Sequence, residues 1–433
     1  LAYGATDSPH QAPQAWLDKY RGRFDAGWDV EREKWFEKQK ALGVVPSNTT
    51  LAPRNPGVKA WDDLSVNEQK FAARLQEAFA AMLDHTDHQI GRLIEQLEAL
   101  GKWDNTLFLV MSDNGASQEG GATGVLDEMK WFNGIPEDID HAVQRLDDIG
   151  GPNSHSNIPW GWAQVGNTPL RWYKQNTHGG GVRDPLVVHW PGRLADAGGT
   201  RTQFCHAIDV APTILEALGL PVPETVGGVP QTPLHGTSFA ATFQTPDVKL
   251  PRGAQYFEMG GHRGLYLDGW KAVTRHTSGV PYDDDKWELY NLDEDFSESH
   301  DLAEQEPERL KALVDAWWRE AETHGVLPLD DRGAIALFRS SMRPGLPSSR
   351  RRFVYRPPIT HVVADACPPV ARGWTTTVDL DHDGGDGALV ARGNINSGLV
   401  LYVHEGALAF DYNAFHEHTR VKAAAKLPTG RHT

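Results

Sequence analysis

Long apolar runs are missing from this 433-residue chain. No stretch approaches the roughly 20 residues that cross a bilayer, which excludes a helical membrane span. The first residues carry no basic-then-apolar leader pattern. Cysteine is scarce: Cys205 and Cys367 allow one bridge or none, which excludes a disulfide framework and leaves cytoplasm and periplasm both open. Positive charge is in deficit. Lysine and arginine number 42 against 58 aspartates and glutamates, a formal charge of −16. That balance excludes a nucleic-acid backbone as partner and obliges any anionic ligand to find a local pocket of positive charge. Internal repeats and low-complexity tracts are absent as well.

What is present suits two or three domains with an ample core, at 39% hydrophobic residues and 15 tryptophans. Ser65 followed by Glu68 is a capping box, and Phe71, Leu75, Ala78 and Met82 continue at helical spacing until Gly101 supplies a stop, which predicts a long helix. Pro185 to Trp190 reads as a buried strand, and Asp209 to Leu218 as a short helix capped by Asp209 with Pro212 in its first turn. Strand and helix alternate, the pattern of an α/β layer. Segments 255–259, 263–267 and 270–276 read as antiparallel strands, the last two joined by Asp268-Gly269. A helix over 307–323 puts Leu310, Leu313, Val314, Trp317 and Ala321 on one face to cover that smaller sheet. Residues 329–352 have the Pro, Ser, Gly and Arg composition of a linker, so residues 1–328 form one predicted domain and 353–433 another. The second is predicted as an all-β, sandwich-like module with strands at 375–380, 388–392, 399–404 and 407–412, the last pair hinged at Glu405-Gly406. No closing strand pattern is evident at its end.

The most informative run is LFLVMSDNGAS, residues 107–117. Five consecutive apolar residues without alternation predict a strand buried on both faces, as in parallel sheets flanked by helices. Ligands of such sheets gather at the strands' carboxyl ends. Asp113 and Asn114 stand there and offer one anionic and one neutral oxygen, both hard ligands suited to calcium or magnesium. Gly115 is read as the sharp turn that follows. Taken alone, an Asp-Asn-Gly run is more often a plain Asx turn. Segment 120–169 is too long for a simple connection and is read as a pocket-shaping loop region. His85 and His88, three apart on the long helix, imitate a metal pair without a third ligand and are read as an ordinary polar face.

Five collinear blocks then carry a family pattern: SPHQAPQAWLDKYRGRFDAGWD from Ser8, DNTLFLVMSDNGAS from Asp104, RWYKQNTHGGGVRDPLVVHWPGR from Arg171, HAIDVAPTILEALG from His206 and WELYNLDEDFSESHDLA from Trp287. Together they resemble the type I arylsulfatases of the alkaline phosphatase superfamily over most of residues 1–328. The module beyond the linker resembles the appended C-terminal domain of some longer bacterial members. The fold class this implies is α/β: an alkaline-phosphatase-like sulfatase core with a smaller antiparallel sheet and helix, followed by the all-β module. The resemblance also implies a formylglycine, made from Cys or Ser in a Cys/Ser-x-Pro-x-Arg motif, whose hydrate attacks sulfur while one calcium ion holds the sulfate. Asp113 and Asn114 match the calcium-binding pair, and Asp113 is placed to take a proton from the hydrate. His10 matches the histidine near the leaving-group oxygen, and Lys174 the lysine that bridges sulfate and leaving group. Negative charge develops on those oxygens during cleavage, where a metal ion and cationic donors stabilise it. His178 is read as satisfying a loop hydrogen bond.

The departures matter too. Cys367-Pro368-Pro369-Val370-Ala371 ends in Ala where the motif requires Arg, and Asp147-Asp148 imitates the family's aspartate pair without an apolar strand before it. Nucleophile motif and aspartate pair are therefore expected upstream of Leu1, and this chain alone is expected to be an inactive fragment. Asp7 stands where close relatives often carry another histidine. The activity implied for the complete protein is hydrolysis of a sulfate ester, on a small molecule or a sulfated glycan, to an alcohol or phenol and inorganic sulfate. Two other readings stand beside it: a phosphonate or phosphodiester hydrolase of the same superfamily, and a non-catalytic carbohydrate-binding protein.

Overall fold

Helix signals crowd the first hundred residues and strand signals the last fifty, and the computed structural model, which describes residues 1–332, 353–355, 362, 367, 374–394 and 396–433, follows that division. Most of the linker assigned to 329–352 lies outside the described residues. Helices α1 (Gln14–Lys19), α2 (Trp28–Leu42) and the long α3 (Val66–Ala99) come first. At the start of α3, Ser65 Oγ accepts from Glu68 N at 3.2 Å, and the Glu68 carboxylate accepts from Ser65 N at 2.7 Å. Its end is Leu100 followed by Gly101 at φ 64°, a left-handed stop. The predicted stripe Phe71, Leu75 and Ala78 is fully buried against Leu17, Trp28, Trp61 and Trp162. Side chains such as Phe71 and Leu75 contribute about 1.5–3 kcal/mol each by leaving water. Trp28, Trp61 and Trp162 meet edge to face with ring centroids 4.9–6.0 Å apart.

Strand β1 (Phe108–Met111) carries the first part of the candidate site. It was expected in a parallel sheet with both faces covered. Instead it pairs antiparallel with β2 (Leu186–His189), Phe108 opposite His189 and Met111 opposite Leu186, in a two-stranded ribbon. Leu109 and Val188 pack on Trp190, Phe239 and Phe243, while Val110, Met111 and Val187 are 36%, 45% and 58% exposed. An unbroken apolar run records that a strand suits cover on both sides. Among the described residues only one side receives it. Between the two strands lie the short helices α4 (Glu128–Phe132), α5 (Ile139–Ala142), α6 (Trp160–Gly166) and α7 (Gly179–Val182).

Asp209 is the N-cap residue of helix α8 (Val210–Ala217), as expected, but its side chain makes no capping hydrogen bond to that helix. A 3-10 turn over Ala207–Asp209 precedes it and is capped by His206, whose Nδ1 accepts from Ile208 N at 3.3 Å. The Asp209 carboxylate accepts from His206 N and Thr237 N, each at 2.7 Å, and pairs with Arg252. A minimal hairpin, β3 (Thr225–Val226) with β4 (Val229–Pro230), follows.

The smaller sheet is four-stranded and antiparallel, in the order β5 (Gln255–Met259), β6 (His262–Leu267), β7 (Trp270–Thr274), β8 (Trp287–Asn291). Asp268 and Gly269, at φ 46° and 82°, make the expected two-residue turn. Helix α9 (Pro307–Thr323) covers the sheet, setting Leu313, Ala316, Trp317 and Ala321 on Leu265, Ala272 and Leu289.

The C-terminal region consists of β9 (Leu380–His382), β10 (Gly387–Gly393), β11 (Ser397–His404), β12 (Ala407–Ala414), β13 (Glu417–Lys426) and β14 (Gly430–His432). Strands β10 to β13 form an antiparallel meander, and β14 pairs with β9. Two expectations are corrected here. The strand placed at 375–380 begins only at Leu380, and closing strands do exist in β13 and β14. All ten residues of β13 are exposed, so it has no apolar face for a pattern to register. The β12–β13 tip, Phe415-His416, reaches segment 120–169: His416 Nε2 lies 3.5 Å from Asp127 Oδ2, and His141 Nε2 lies 2.9 Å from Glu417 Oε1. The fold is thus mixed α/β with a C-terminal region of antiparallel sheets. Among the described residues no helix is long and apolar enough to cross a membrane.

Candidate functional site

Beyond Met111 the chain turns through Asp113, Asn114 and Gly115 and is laced to the segment that carries Lys174. Gly115 N donates to Gly181 O at 3.3 Å, Ala116 N to Asn167 Oδ1 at 2.9 Å, and Lys174 N to Ala116 O at 3.1 Å. Close approach explains the glycines. A Cβ on Gly115 would sit 1.7 Å from Gly180 O, and one on Gly180 would sit 2.1 Å from Trp172 O. Gly115 is therefore demanded by contact and not, as its place after Asp113-Asn114 suggested, by the turn.

Lys174 sits between two left-handed residues that are not glycine, Trp172 at φ 65° and Gln175 at φ 71°. Each such conformation costs on the order of 1 kcal/mol and persists only where its surroundings hold it. Here Trp172 N donates to Asn55 Oδ1 at 3.2 Å, its ring takes the Arg275 guanidinium at 3.6 Å, and Gln175 Nε2 donates to Glu119 Oε1 at 2.7 Å. The Lys174 ammonium lies 3.0 Å from Asp7 Oδ2 and 3.5 Å from Glu119 Oε1. Burial disfavours its charge, but Glu119 and then Asp7 outweigh burial and raise its pKa, so the group stays cationic.

Behind Lys174 runs a buried polar network. Ser117 Oγ donates to Glu119 Oε2, and the Asn157 amide donates to Ser117 Oγ at 2.8 Å and to Glu128 Oε1 at 2.7 Å. His155 Nε2 stands 3.7 Å from Glu128 Oε2. Burial pushes the Glu128 carboxyl up to about 7 against the Asn157 hydrogen bond, and the charges of Glu119 and Asp7 add to the rise. Spacing gave no hint of Glu119, Asn157 or Glu128, because they arrive from separate parts of the 117–158 segment.

His10 is fully buried, edge-on to Phe79 with centroids 5.1 Å apart, and its N donates to Ser156 O at 3.3 Å. Burial lowers its pKa to about 4, so the imidazole is neutral at pH 7. Nε2 reaches Thr6 O at 3.2 Å and Nδ1 has no hydrogen-bond partner among the described residues. One short stretch thus carries both Asp7, which pairs with the ammonium, and the buried His10. Among the described residues no direct hydrogen bond joins His10, Asp113 or Asn114 to Lys174. His178 is buried with Nε2 at 3.4 Å from Glu288 Oε2, an internal partner. His85 and His88 pack on Trp16 at 5.4 and 5.3 Å.

For a hard dication the Asp113 carboxylate and the Asn114 amide oxygen fit in kind. A second carboxyl, Asp184, is pushed up to about 7 by burial and then by the charge of Asp113. Among the described residues no three His, Cys, Asp or Glu side chains come together as a cage, so the donor set is short in number.

Fold and site together define an α/β protein that presents an acid-amide pair at a strand end, in a loop hydrogen-bonded through its backbone to the segment of a paired lysine. Residues 1–220 match the sulfatase family model, and residues 170–320 match the N-sulphoglucosamine sulphohydrolase C-terminal model. The chain belongs to the sulfatase family. It is similar to an uncharacterised sulfatase of Schizosaccharomyces pombe, 32% identical over 351 residues that cover 76% of this chain and 59% of that protein. It is also similar to an arylsulfatase of Klebsiella aerogenes, 29% identical over 242 residues that cover 56% of this chain and 50% of that protein. The crystal structure of Ps i-CgsB aligns at a TM-score of 0.45 and 19% identity, over 78% of this chain and 52% of that one. The chain therefore spans between half and three-fifths of the length of these two curated relatives.

Proposed function

We propose that this chain supplies the leaving-group side and part of the metal side of a sulfuric ester hydrolase of arylsulfatase type. One observation carries the reading: the cationic Lys174 is fixed by two strained neighbours and hydrogen-bonded through its backbone to the loop of Asp113 and Asn114. In this reading the Lys174 ammonium binds a sulfate oxygen and neutralises charge on the departing oxygen, where a fixed donor is worth most. His10 belongs to the same short stretch as Asp7, the exposed partner of Lys174. As a neutral imidazole it keeps Nδ1 as an acceptor and has its Nε2 proton on Thr6, so it orients the 6–12 stretch until a leaving group exchanges with that carbonyl. Asp113 and Asn114 would hold a calcium ion, which when bound supplies electrostatic stabilisation of sulfate oxygens. No Cys/Ser-x-Pro-x-Arg run occurs in the sequence given, and the nucleophile is assigned to none of its residues. The substrate class is a sulfate ester, aryl or carried on a glycan; the name of the Klebsiella relative favours the aryl type.

Calorimetric titration of inorganic sulfate into the chain and into Lys174→Ala tests this. Loss of roughly tenfold or more in affinity is expected, the scale of a charged hydrogen bond. Equal affinity in the two proteins overturns the reading.

A further inference from the structure

Lys174 faces two carboxylates of unlike character. The Asp7 side chain is 57% exposed and that of Glu119 only 4%. Glu119 is clamped at both oxygens, Oε1 by Gln175 Nε2 at 2.7 Å and Oε2 by Ser117 Oγ, and Ser117 is itself held by Asn157 at 2.8 Å. Gln175 is also the left-handed residue directly after Lys174, so one residue fixes both the lysine's backbone and its buried partner. A buried ion pair is screened far less than an exposed one.

We propose that Glu119 is a positioning residue for Lys174, a permanent buried counter-ion that fixes the ammonium while the exposed Asp7 yields its place to an anionic group of the substrate. This rests on the reading of Lys174 as a cationic donor to the sulfate ester. The arrangement weakens the net attraction for an anion and in exchange holds the donor protonated and in one geometry, the property a preorganised site needs. Consistent with this, Glu119 precedes Asp7 among the charges that raise the pKa of Lys174.

Competitive acetylation of the full chain at pH 9, read by peptide mass spectrometry, measures the neutral fraction of each lysine without any substrate. Lys271, buried with Glu298 at 2.6 Å, reports whether the fold is intact. Glu119→Gln keeps the size and loses the charge. It is expected to raise Lys174 labelling about tenfold, the factor for one pH unit produced by loss of a neighbouring opposite charge, with Lys271 still protected and with Glu119→Asp restoring most of the protection. Asp7→Asn is expected to raise it less than threefold, as for a solvent-exposed pair. Unchanged labelling in a folded Glu119→Gln protein, or a larger effect from Asp7→Asn, overturns the proposal. Should Lys271 become labelled in Glu119→Gln, the same measurement on Ser117→Ala and Gln175→Ala decides: each loosens the clamp and is expected to raise Lys174 labelling severalfold, and no rise in either overturns the proposal. Failure of the sulfatase reading would show separately, as sulfate binding indifferent to Lys174→Ala.

Discussion

The Lys174 ammonium and the Asp7 carboxylate, 167 positions apart in sequence, meet at 3.0 Å. In the proposed reading Asp7 stands in for a sulfate oxygen, and the pair is exposed enough that its breaking costs only about 0.2–1 kcal/mol. Asp7→Asn should therefore tighten inorganic sulfate binding by roughly 1.5- to 5-fold, as measured by calorimetry. Weaker binding in the variant would mean that Asp7 aims the ammonium and does not compete for it.

A second pair anchors the site from behind. Lys271 Nζ lies 2.6 Å from Glu298 Oε1, and Glu298 Oε2 accepts from Gly179 N at 2.8 Å, which ties the smaller sheet to the glycines packed behind Lys174. Both side chains are buried, at 3% and 1% exposure. Lys271→Met leaves a carboxylate without its cation, an effect of about 3–5 kcal/mol, whereas adding Glu298→Gln should recover part of the loss. Urea denaturation measures both. A loss under about 1 kcal/mol in the single variant would show that the carboxylate finds protons or water instead.

What the sequence disclosed and what it hid divide along a physical line. Helix α3 was legible because its cap, stripe and stop are local: Ser65 with Glu68, Phe71 to Ala78, Gly101. Asp268-Gly269 and α9 were legible for the same reason, and the place of Asp113-Asn114 just beyond a strand was legible from the apolar run before it. The cover over β1 depends on what lies beside it, which no local pattern states. Strand β13 buries nothing and so alternates nothing. The partners of Lys174 come from residue 7, residue 119 and, behind them, residue 157, a convergence that only the fold produces.

Composition alone carries the division into residues 1–328 and 353–433, and we propose that boundary on this ground. Limited trypsin digestion is expected to cut first at Arg350 to Arg352, where three arginines follow Pro and Ser, and only later at the basic residues of α3, whose backbone is hydrogen-bonded along its whole length. Early fragments identified by mass spectrometry decide it. First cuts inside residues 66–99 would place the boundary elsewhere.

Glu128 gives the site a pH signature whose sign is fixed. Its carboxyl is raised from 4.5 to about 7 in the folded protein, chiefly by burial. Between those values the unfolded chain sheds the proton while the folded one keeps it, so stability conferred below pH 4.5 is lost as pH rises through 7. The shift of 7 − 4.5 = 2.5 units sets an upper scale on the order of 3 kcal/mol. His10 acts in the opposite sense: its pKa is lowered from 6.5 to about 4, so its contribution is present above 6.5 and lost as pH falls towards 4. Glu128→Gln keeps an oxygen for the Asn157 hydrogen bond and removes the ionisation. Denaturation of both proteins at pH 4.5, 6 and 8 should show equal stability at the lowest pH and an advantage for the variant of about 1–3 kcal/mol at the highest, with the acid-side slope from His10 unchanged in both. A difference that stays constant across the three pH values would mean that Glu128 does not titrate in this window, and that the Asn157–Glu128 contact serves packing alone.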